Sequence, residues 1–342
     1  MRRAARLLSV SFRTLMRIIH DLWQEAIARP TVVTFGVFDG VHLGHQQILR
    51  MVVTRARELG VTPTVITFDP HPRQVLRPET APPLLQTLEQ RLEAFAELGI
   101  EQVILLRFTR ALAAVSAEEF LLAYVFGRLD ARELYVGKGA AFGRDRQGRI
   151  ELAREIAARL GRRAVEIEEV TLRGHRVRAT TIRRLLRAGR VNLARRLLGR
   201  PYEIRGRIIS GSGRGREILV PTANLHAENP ILPAMGVYVT LMRFADRWYP
   251  GVTNIGHRPT FGGDPHVSVE THLLDWEGEV LGAPAALRFL RRLRSEQRFE
   301  SVDALRAQIA RDIARARRYF AHPRVRFLLG ESTLGIDASP EG

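Results

Sequence analysis

The sequence predicts an α/β protein of two unlike domains: an N-terminal doubly wound parallel sheet, then a C-terminal antiparallel β-barrel with a terminal helix. Up to about residue 170, β-rich apolar runs alternate with amphipathic helical patterns, an order typical of a parallel sheet. After Pro201, short alternating strands are separated by glycine and proline, which indicates a barrel. The 342 residues also exceed one ordinary hydrophobic core.

The first domain is expected over residues 31–185. Its strands are predicted at 31–35, 64–68, 103–106, 134–136 and 165–167, with helices near 46–59, 87–98, 116–129 and 151–160. Doubly wound sheets bind ligands beyond the carboxyl ends of their strands. Glycine, histidine and aspartate collect in the loops after the first, second and fourth strands, so the site is expected there.

A linker helix is predicted over 186–200 and the barrel over 201–325. Residues 180–199 carry leucine and isoleucine at helical spacing, and Gly189 and Gly199 are the expected stops. Strand patterns recur at 202–209, 236–242, 247–256 and 266–274. Residues 301–320 are predicted to form one helix with Ser301 as its N-cap.

Both ends of the chain lie outside these domains. Residues 1–30 are predicted as an extension and lead-in, and residues 326–342 as a tail. The first fifteen residues contain four arginines and no acid, but lack the apolar stretch of a secretory signal. Because Met16 opens a segment that runs directly into the first strand, we expect residues 1–15 to reflect a misassigned start. A native N-terminal peptide from residues 2–13 would contradict this.

The composition excludes several classes of protein. The absence of cysteine removes disulfides, thiolate metal sites and cysteine nucleophiles, and no apolar run reaches the roughly 18 residues of a membrane span. A cytoplasmic location is expected. The net charge of +17 favours polyanionic ligands. Lys138 is the only lysine, so nearly all the positive charge is arginine, which fits a compositional bias of the coding sequence.

The segment TVVTFGVFDGVHLGHQQIL has the features of a phosphate site. Glycines allow backbone N–H groups to approach a phosphate, and the helix that follows offers its N-terminus to negative charge. The candidates are Gly36, Asp39, Gly40, His42, Gly44 and His45. Two other interpretations are open: the histidines only cap the helix, or they form a metal site with Asp39. Because a phosphate site needs only Mg²⁺, zinc is not expected.

A second segment, GSGRGREILVPTANL at 211–225, combines a glycine- and arginine-rich turn with PTAN. Such glycine strings are weak evidence alone. Thr222 and Asn224 offer hard oxygen ligands for Mg²⁺ bound to ATP. Glu270 lies on an alternating strand and faces the same side as His272. The alternatives are a satisfied turn for Thr222 and Asn224, and a cross-strand salt bridge for Glu270.

Five segments of the chain together resemble the bacterial bifunctional riboflavin kinase/FAD synthetase family, whose N-terminal half carries an HxGH nucleotidyltransferase signature. They are GVFDGVHLGH, TFDPHP at 67–72, PTAN, NIGHRPTFGG at 254–263 and VETHLLDWEGEVLG at 269–282. The resemblance covers residues 16 to 325. It implies phosphorylation of riboflavin to FMN in the barrel and adenylylation of FMN to FAD, with release of pyrophosphate, in the N-terminal domain. It implies riboflavin, FMN, FAD, ATP and Mg²⁺ as ligands, without haem, zinc, an iron–sulfur cluster or a membrane. The oligomeric state is left open.

The resemblance also implies roles for individual residues. His42, His45 and Glu270 would be catalytic, with Glu270 taking the proton from the ribityl 5′-hydroxyl. ATP of the adenylyltransferase would contact Gly36, Phe38, Asp39, Gly40, His42, Gly44, His45, Thr180 and Arg183, and the flavin or its phosphate would contact Asp69, Arg73, Phe142 and Arg294. ATP of the kinase would contact Gly211, Gly213, Gly215, Thr222 and Asn224, of which Thr222 and Asn224 would bind Mg²⁺.

This chain departs from the family pattern in several places. Substituted positions are Gly139, Ala140, Ala141, Arg178, Ala179, Leu219, Val220 and Leu281. Leu219 replaces a glycine, and leucine adopts positive φ only at a cost, so reduced kinase efficiency is expected. Two rival hypotheses are that only one activity is retained, or that the arginines of 183–200 and 291–318 serve nucleic-acid binding. The second is not expected, because it gives no reason for the paired histidines or for PTAN.

Overall fold

A computed structural model describes residues 16–210, 222–258, 266–276, 278 and 280–325. The chain divides into two compact units, of which the first ends at Ala179 and the second begins at Thr180. The predicted domain boundary at residue 185 stays a prediction. The Leu186 carbonyl accepts a hydrogen bond from the Ala234 N–H at 2.9 Å, so residue 186 bonds within the second unit.

The first unit contains a six-stranded sheet in which every neighbouring pair is parallel. The strands are β1 Arg17–Ile19, β2 Thr31–Phe35, β3 Thr62–Asp69, β4 Gln102–Arg107, β5 Ala131–Gly137 and β6 Arg163–Ile167, in the order β1-β4-β3-β2-β5-β6. The parallel sheet and its five expected strands are confirmed. The strand β1 lies in the segment predicted as a lead-in, because three residues carry too little pattern to indicate an edge strand.

Helices cover the sheet. They are α1 Leu43–Leu59, α2 Pro72–Leu76, α3 Leu88–Glu97, α4 Arg110–Ala114, α5 Ala117–Glu119 with its π-helical continuation Phe120–Arg128, and α6 Ile150–Arg159. The helix α1 buries Leu49 and Val52 against the sheet. It ends at Gly60, whose φ of 64° and N–H bonds to two preceding carbonyls form a left-handed cap. A hairpin of β7 Thr171–Leu172 and β8 His175–Arg176 follows β6.

The strand order reverses beside β2. From β2 the chain builds through β3 and β4 on one side, and β5 and β6 extend the other side. In such sheets a ligand crevice forms at the reversal, beyond the carboxyl ends of the strands. The hydrogen-bonded neighbours β2 and β5 flank this point. The topology therefore positions the loops that follow these two strands as a site.

Two helices precede the barrel: α7 Ala179–Arg187, which lies in the second unit except for its first residue, and α8 Val191–Leu198. The second unit then continues as a closed antiparallel barrel. The strands are β9 Tyr202–Ile209, β10 Ala223–Ala227, β11 Gly236–Phe244, β12 Arg247–Arg258, β13 His266–Leu273 and β14 Pro284–Arg294, in the order β10-β13-β12-β11-β14-β9. The pairing of β9 with β10 closes the ring. The predicted barrel is confirmed, and β10 and β14 are the two strands that sequence patterning missed.

The terminal helix, α9 Val302–Ala321, is also confirmed. The Ser301 side chain accepts a hydrogen bond from the Ala304 N–H at 3.1 Å and so caps it, as predicted. Ala316 and Phe320 pack in one apolar cluster with Val239 and Leu290 of the barrel wall. Among the described residues, no helix combines the length and the apolar character that crossing a membrane requires.

Candidate active sites

The loop between β2 and α1 is strained. Phe38, Gly40 and Val41 have φ values of 53°, 83° and 37°, a left-handed region that bulky and β-branched residues rarely adopt. Phe38 and Val41 are buried in the core with α1, and this burial offsets the strain. Strain of this kind concentrates at functional sites. The turn places the backbone of residues 36–42 at the carboxyl edge of the sheet, where a ligand is expected.

The predicted histidines meet at the N-terminus of α1. His42 is the N-cap: its Nδ1 accepts a hydrogen bond from the His45 N–H at 3.3 Å, so the neutral ring carries its proton on Nε2. The two imidazoles stack with centroids 3.5 Å apart. The capping interpretation is thus correct for Nδ1 and does not exclude a phosphate, because the helix N-terminus and an Nε2 proton both favour negative charge.

Asp39 and Arg91 tie this loop to the rest of the unit. Asp39 is buried, and its Oδ1 accepts a hydrogen bond from the Leu85 N–H at 2.9 Å. Arg91 of α3 is 3% exposed and donates from Nη1 to the Val37 carbonyl at 2.9 Å and from Nη2 to the Phe68 carbonyl at 3.1 Å. Burial lowers the pKa of Arg91. This arginine joins the loop after β2 to the end of β3. It was not predicted, because one arginine in an amphipathic helix gives no local sequence signal.

A second histidine cap follows β3. His71 Nδ1 accepts a hydrogen bond from the Arg73 N–H at 3.0 Å, and the Gln74 side chain accepts one from the His71 N–H at 2.9 Å. The predicted Asp69 and Arg73 are exposed here. Because β2 and β3 are adjacent parallel strands, their following loops share one edge of the sheet. His71 lies in the TFDPHP segment, between the predicted Asp69 and Arg73.

The loop after β5 contains Phe142, whose contact with the flavin stays a prediction. The Phe142 ring is 8% exposed and packs against Phe35 at 5.1 Å between centroids, so it is part of the core. Lys138 Nζ pairs with Glu168 at 2.8 Å. Gly139, one of the substituted positions, has a φ of 71°. Glycine suits this turn, and its N–H donates to Glu166 at 2.9 Å.

The last predicted ATP contacts of the adenylyltransferase lie at the start of α7. Arg178 forms an ion pair with Glu169. Thr180 and Arg183 lie in α7, within the second unit; Thr180 is exposed and Arg183 is buried. Their role toward ATP stays a prediction.

In the barrel, strand register assembles a row of polar residues. Glu270 of β13 is paired with Asn224 of β10 on one side and with Asn254 of β12 on the other. Directly opposite residues share a face, so a carboxylate lies between two amides. Asn224 is buried, and Glu270 and Thr222 are half-buried. Asn254 was not predicted, because no local pattern joins residues on three separate strands.

A ladder of hydroxyls holds these strands in register from the opposite face. The Thr253 Oγ1 lies 2.7 Å from that of Thr240 and 2.8 Å from that of Thr271, and all three residues are fully buried. Thr253 and Thr271 adjoin Asn254 and Glu270 in sequence, so the two sets point to opposite faces. A slip of one residue would break the ladder and turn Glu270 to the wrong face. The ladder therefore fixes the position of Glu270.

Arg294 lies elsewhere in the barrel. Its β14 backbone is three strand spacings from Glu270, about 14 Å along the wall. Its Nε donates to the Asp312 Oδ2 at 2.8 Å, and Asp312 is 2% exposed, so Arg294 fastens α9 to β14. The predicted Gly211, Gly213 and Gly215, together with Leu219 and Val220, lie outside the described residues. Leu281, where the family has tyrosine, is 66% exposed.

Two different family models match the chain, one in each part. A family model described as FAD synthetase matches residues 24–181, and one described as riboflavin kinase matches residues 198–320. The bifunctional riboflavin kinase/FMN adenylyltransferase of Pseudomonas fluorescens is 40% identical over 303 residues, which cover 89% of this chain and 96% of that protein. The protein of the same name from Escherichia coli K12 is 36% identical over 307 residues, covering 90% and 97%.

A solved structure extends the similarity to the fold. The protein from Streptococcus pneumoniae that is named a macrolide-efflux protein has a TM-score of 0.80 and 27% identity, covering 89% of this chain and 99% of its own. The curated relatives share more than a third of their residues with this chain over nearly its whole length. The chain therefore belongs to the bifunctional riboflavin kinase/FMN adenylyltransferase family.

Proposed function

We propose that the second unit phosphorylates riboflavin to FMN and that the first unit adenylylates FMN to FAD, each step consuming one ATP. The observation that carries the proposal is the strained, histidine-capped turn at the strand-order reversal of the sheet. It supplies backbone donors, a helix N-terminus and two imidazoles at one point. Membership of the family supports both activities.

In the first unit, the phosphate oxygen of FMN attacks the α-phosphorus of ATP, and the bond to the β-phosphate breaks to release pyrophosphate. Charge grows on the non-bridging oxygens of the α-phosphate. Fixed N–H donors of the α1 N-terminus and the Nε2 proton of His42 stabilise that charge without a covalent intermediate. A Cβ at Gly44 would make only ordinary contacts with the His42 ring, so close approach of a phosphate, rather than packing, explains glycine there. Asp69 and Arg73 are proposed to line the flavin side.

In the second unit, Glu270 accepts the proton of the ribityl 5′-hydroxyl as its oxygen attacks the γ-phosphorus of ATP, and ADP leaves. A half-buried carboxylate between two amides suits this general base. Thr222 and Asn224 provide hydroxyl and amide oxygens of the kind that Mg²⁺ prefers, so these residues fit the ion. When bound, Mg²⁺ would neutralise phosphate charge. The cytoplasm, where ATP is made, is the proposed location.

The test is a time course of the purified protein with riboflavin, ATP and Mg²⁺, with flavins separated by chromatography. We expect FMN to rise first and then to give way to FAD. FMN as the end product would contradict the adenylyltransferase assignment. FAD formed only when FMN is supplied would contradict the kinase assignment and would point to the substituted Leu219.

A further inference from the structure

The second unit contains a cationic pocket that neither proposed step uses. It has a volume of about 640 Å³ and is lined by residues of α8, β14, α9 and the segment that follows α9. Six of the lining residues are arginines: Arg195, Arg291, Arg292, Arg315, Arg318 and Arg324. The strands β13 and β14 are separated by two others in either direction around the barrel. The pocket is thus built on a different part of the wall from Glu270.

Most arginines of this pocket differ from other arginines of α9 in that they form no ion pair with a carboxylate of the described residues. Elsewhere on α9, Arg317 pairs with Asp275 at 2.8 Å and Arg306 pairs with Asp303 at 3.4 Å. Within the described part of the chain, no ion pair joins Arg195, Arg291, Arg315, Arg318 or Arg324 to a carboxylate. Compositional bias explains how many arginines the chain has. It does not explain why these converge on one concavity without a counter-charge.

One arginine of the pocket, Arg292, is held in place by contacts with the protein. Arg292 donates to the Met235 carbonyl and lies over the Tyr238 ring, and its Nε is buried without a hydrogen-bond partner among the described residues. A Cβ at Gly189 would meet the Arg292 guanidinium at 2.8 Å, so the glycine between α7 and α8 makes room for it. Arg315 and Arg318 are three residues apart, which puts them on one face of α9, and His322 follows directly after the helix ends.

The chemistry of the lining selects the ligand. Guanidinium groups present planar arrays of donors that match phosphate oxygens, and several converging cations require several negative charges. A pocket of this volume suits a small molecule. Nucleic acid would instead require cations spread along a track of successive phosphates. We propose that this pocket binds a compact anion with two or more linked phosphate groups, either a free polyphosphate such as pyrophosphate or the phosphate chain of a nucleotide.

The experiment is isothermal titration calorimetry of the full chain with inorganic tripolyphosphate, and separately with ATP, at physiological salt and without Mg²⁺. The proposed active sites also bind phosphates, so the readout is the difference between two double variants. Arg315→Gln/Arg318→Gln removes two charges from the pocket. Arg306→Gln/Arg311→Gln removes two charges from the same helix outside it. All four side chains are exposed, and thermal unfolding verifies that both variants fold.

The pocket variant is expected to lose one binding event, with affinity about a hundredfold weaker, because each charge-assisted contact is worth about tenfold. The control variant should retain it within about twofold. If ATP and tripolyphosphate bind with equal affinity, the pocket recognises the phosphate chain alone. If ATP binds more tightly, the pocket also contacts the nucleoside. Both results support the proposal. Equal weakening in the two variants, or no change in either, overturns it. Single-stranded RNA that binds more tightly than tripolyphosphate and is lost in the pocket variant overturns the compact-anion assignment in favour of nucleic acid.

Discussion

The two units assemble their candidate sites in opposite ways. In the first, one segment of ten residues after β2 supplies the turn, the cap and both histidines. In the second, Asn224, Asn254 and Glu270 come from three strands and meet only through register. A site made of contiguous backbone is visible in the sequence and depends on local strain. A site made by register depends on the whole barrel and is hidden from local patterns.

The largest effect is expected from Glu270→Gln. The substitution keeps the size of the side chain and removes the proton acceptor, so the rate of riboflavin phosphorylation should fall by about 10²–10⁴. Adenylylation of added FMN should keep its wild-type rate, because the other site is built by another unit. Both rates are measured on one preparation. Loss of both activities would mean that the two sites are not independent.

The reciprocal effect is expected from His45→Ala and His42→Asn. Asparagine is a good N-cap, so His42→Asn retains the cap and removes only the imidazole. Loss of one fixed donor should lower the rate of FAD formation from FMN by about 10²–10³, with riboflavin phosphorylation unchanged. If His42→Asn forms FAD at the wild-type rate, His42 serves only as the N-cap of α1.

A smaller effect is expected from Arg91→Met. Methionine fills a similar volume but cannot bond the carbonyls of Val37 and Phe68, so the loop loses its link to β3. Adenylylation should fall about tenfold, mainly in kcat. Removal of a buried charge offsets the lost hydrogen bonds, so the unfolding temperature should change little. Arg91→Lys should recover part of the rate. An unchanged rate with lowered stability would make Arg91 purely structural.

The smallest effects are expected in the stability of the fold at acidic pH, and they again allow the two units to be compared. In the first unit, Arg55 lowers the pKa of Glu133 through hydrogen bonds at 2.6 and 2.9 Å, and Tyr135 adds another. In the second, burial opposes ionisation of Glu203, but Arg288 and Arg205 outweigh it and lower its pKa. A lowered pKa stabilises the fold above the ordinary value of 4.5, and this contribution is lost as pH falls through the folded-state value.

Glu133→Gln and Glu203→Gln should therefore each lower the free energy of unfolding at neutral pH by about 1–3 kcal/mol and flatten its decline in acid. Each substitution should lower the stability of its own unit. Unfolding is measured by the fluorescence of Trp23 in the first unit and of Trp248 in the second. A variant that retains the wild-type acid dependence would show that its carboxylate is not the titrating group.

Sequence patterning predicted the fold where the pattern was long and regular. The five longer strands of the sheet and the Ser301 cap were predicted, whereas β1, β10 and β14 were missed. The strands β1 and β10 have only three and five residues, and β14 has eleven but its pairing with β11 is interrupted by two register shifts. For side chains, the predicted flavin contacts of Phe142 and Arg294 stay predictions. The packing of Phe142 against Phe35 and the pairing of Arg294 with Asp312 could not be predicted, because they are set by tertiary contacts that no local sequence encodes.

The most direct test of two independent sites is complementation. His45→Ala and Glu270→Gln proteins are each incubated with riboflavin, ATP and Mg²⁺, alone and mixed in equal amounts, and FAD is measured. We expect His45→Ala alone to stop at FMN, Glu270→Gln alone to leave riboflavin unchanged, and the mixture to make FAD from FMN that diffuses between molecules. A mixture that makes no FAD, although Glu270→Gln still adenylylates added FMN, would contradict the account.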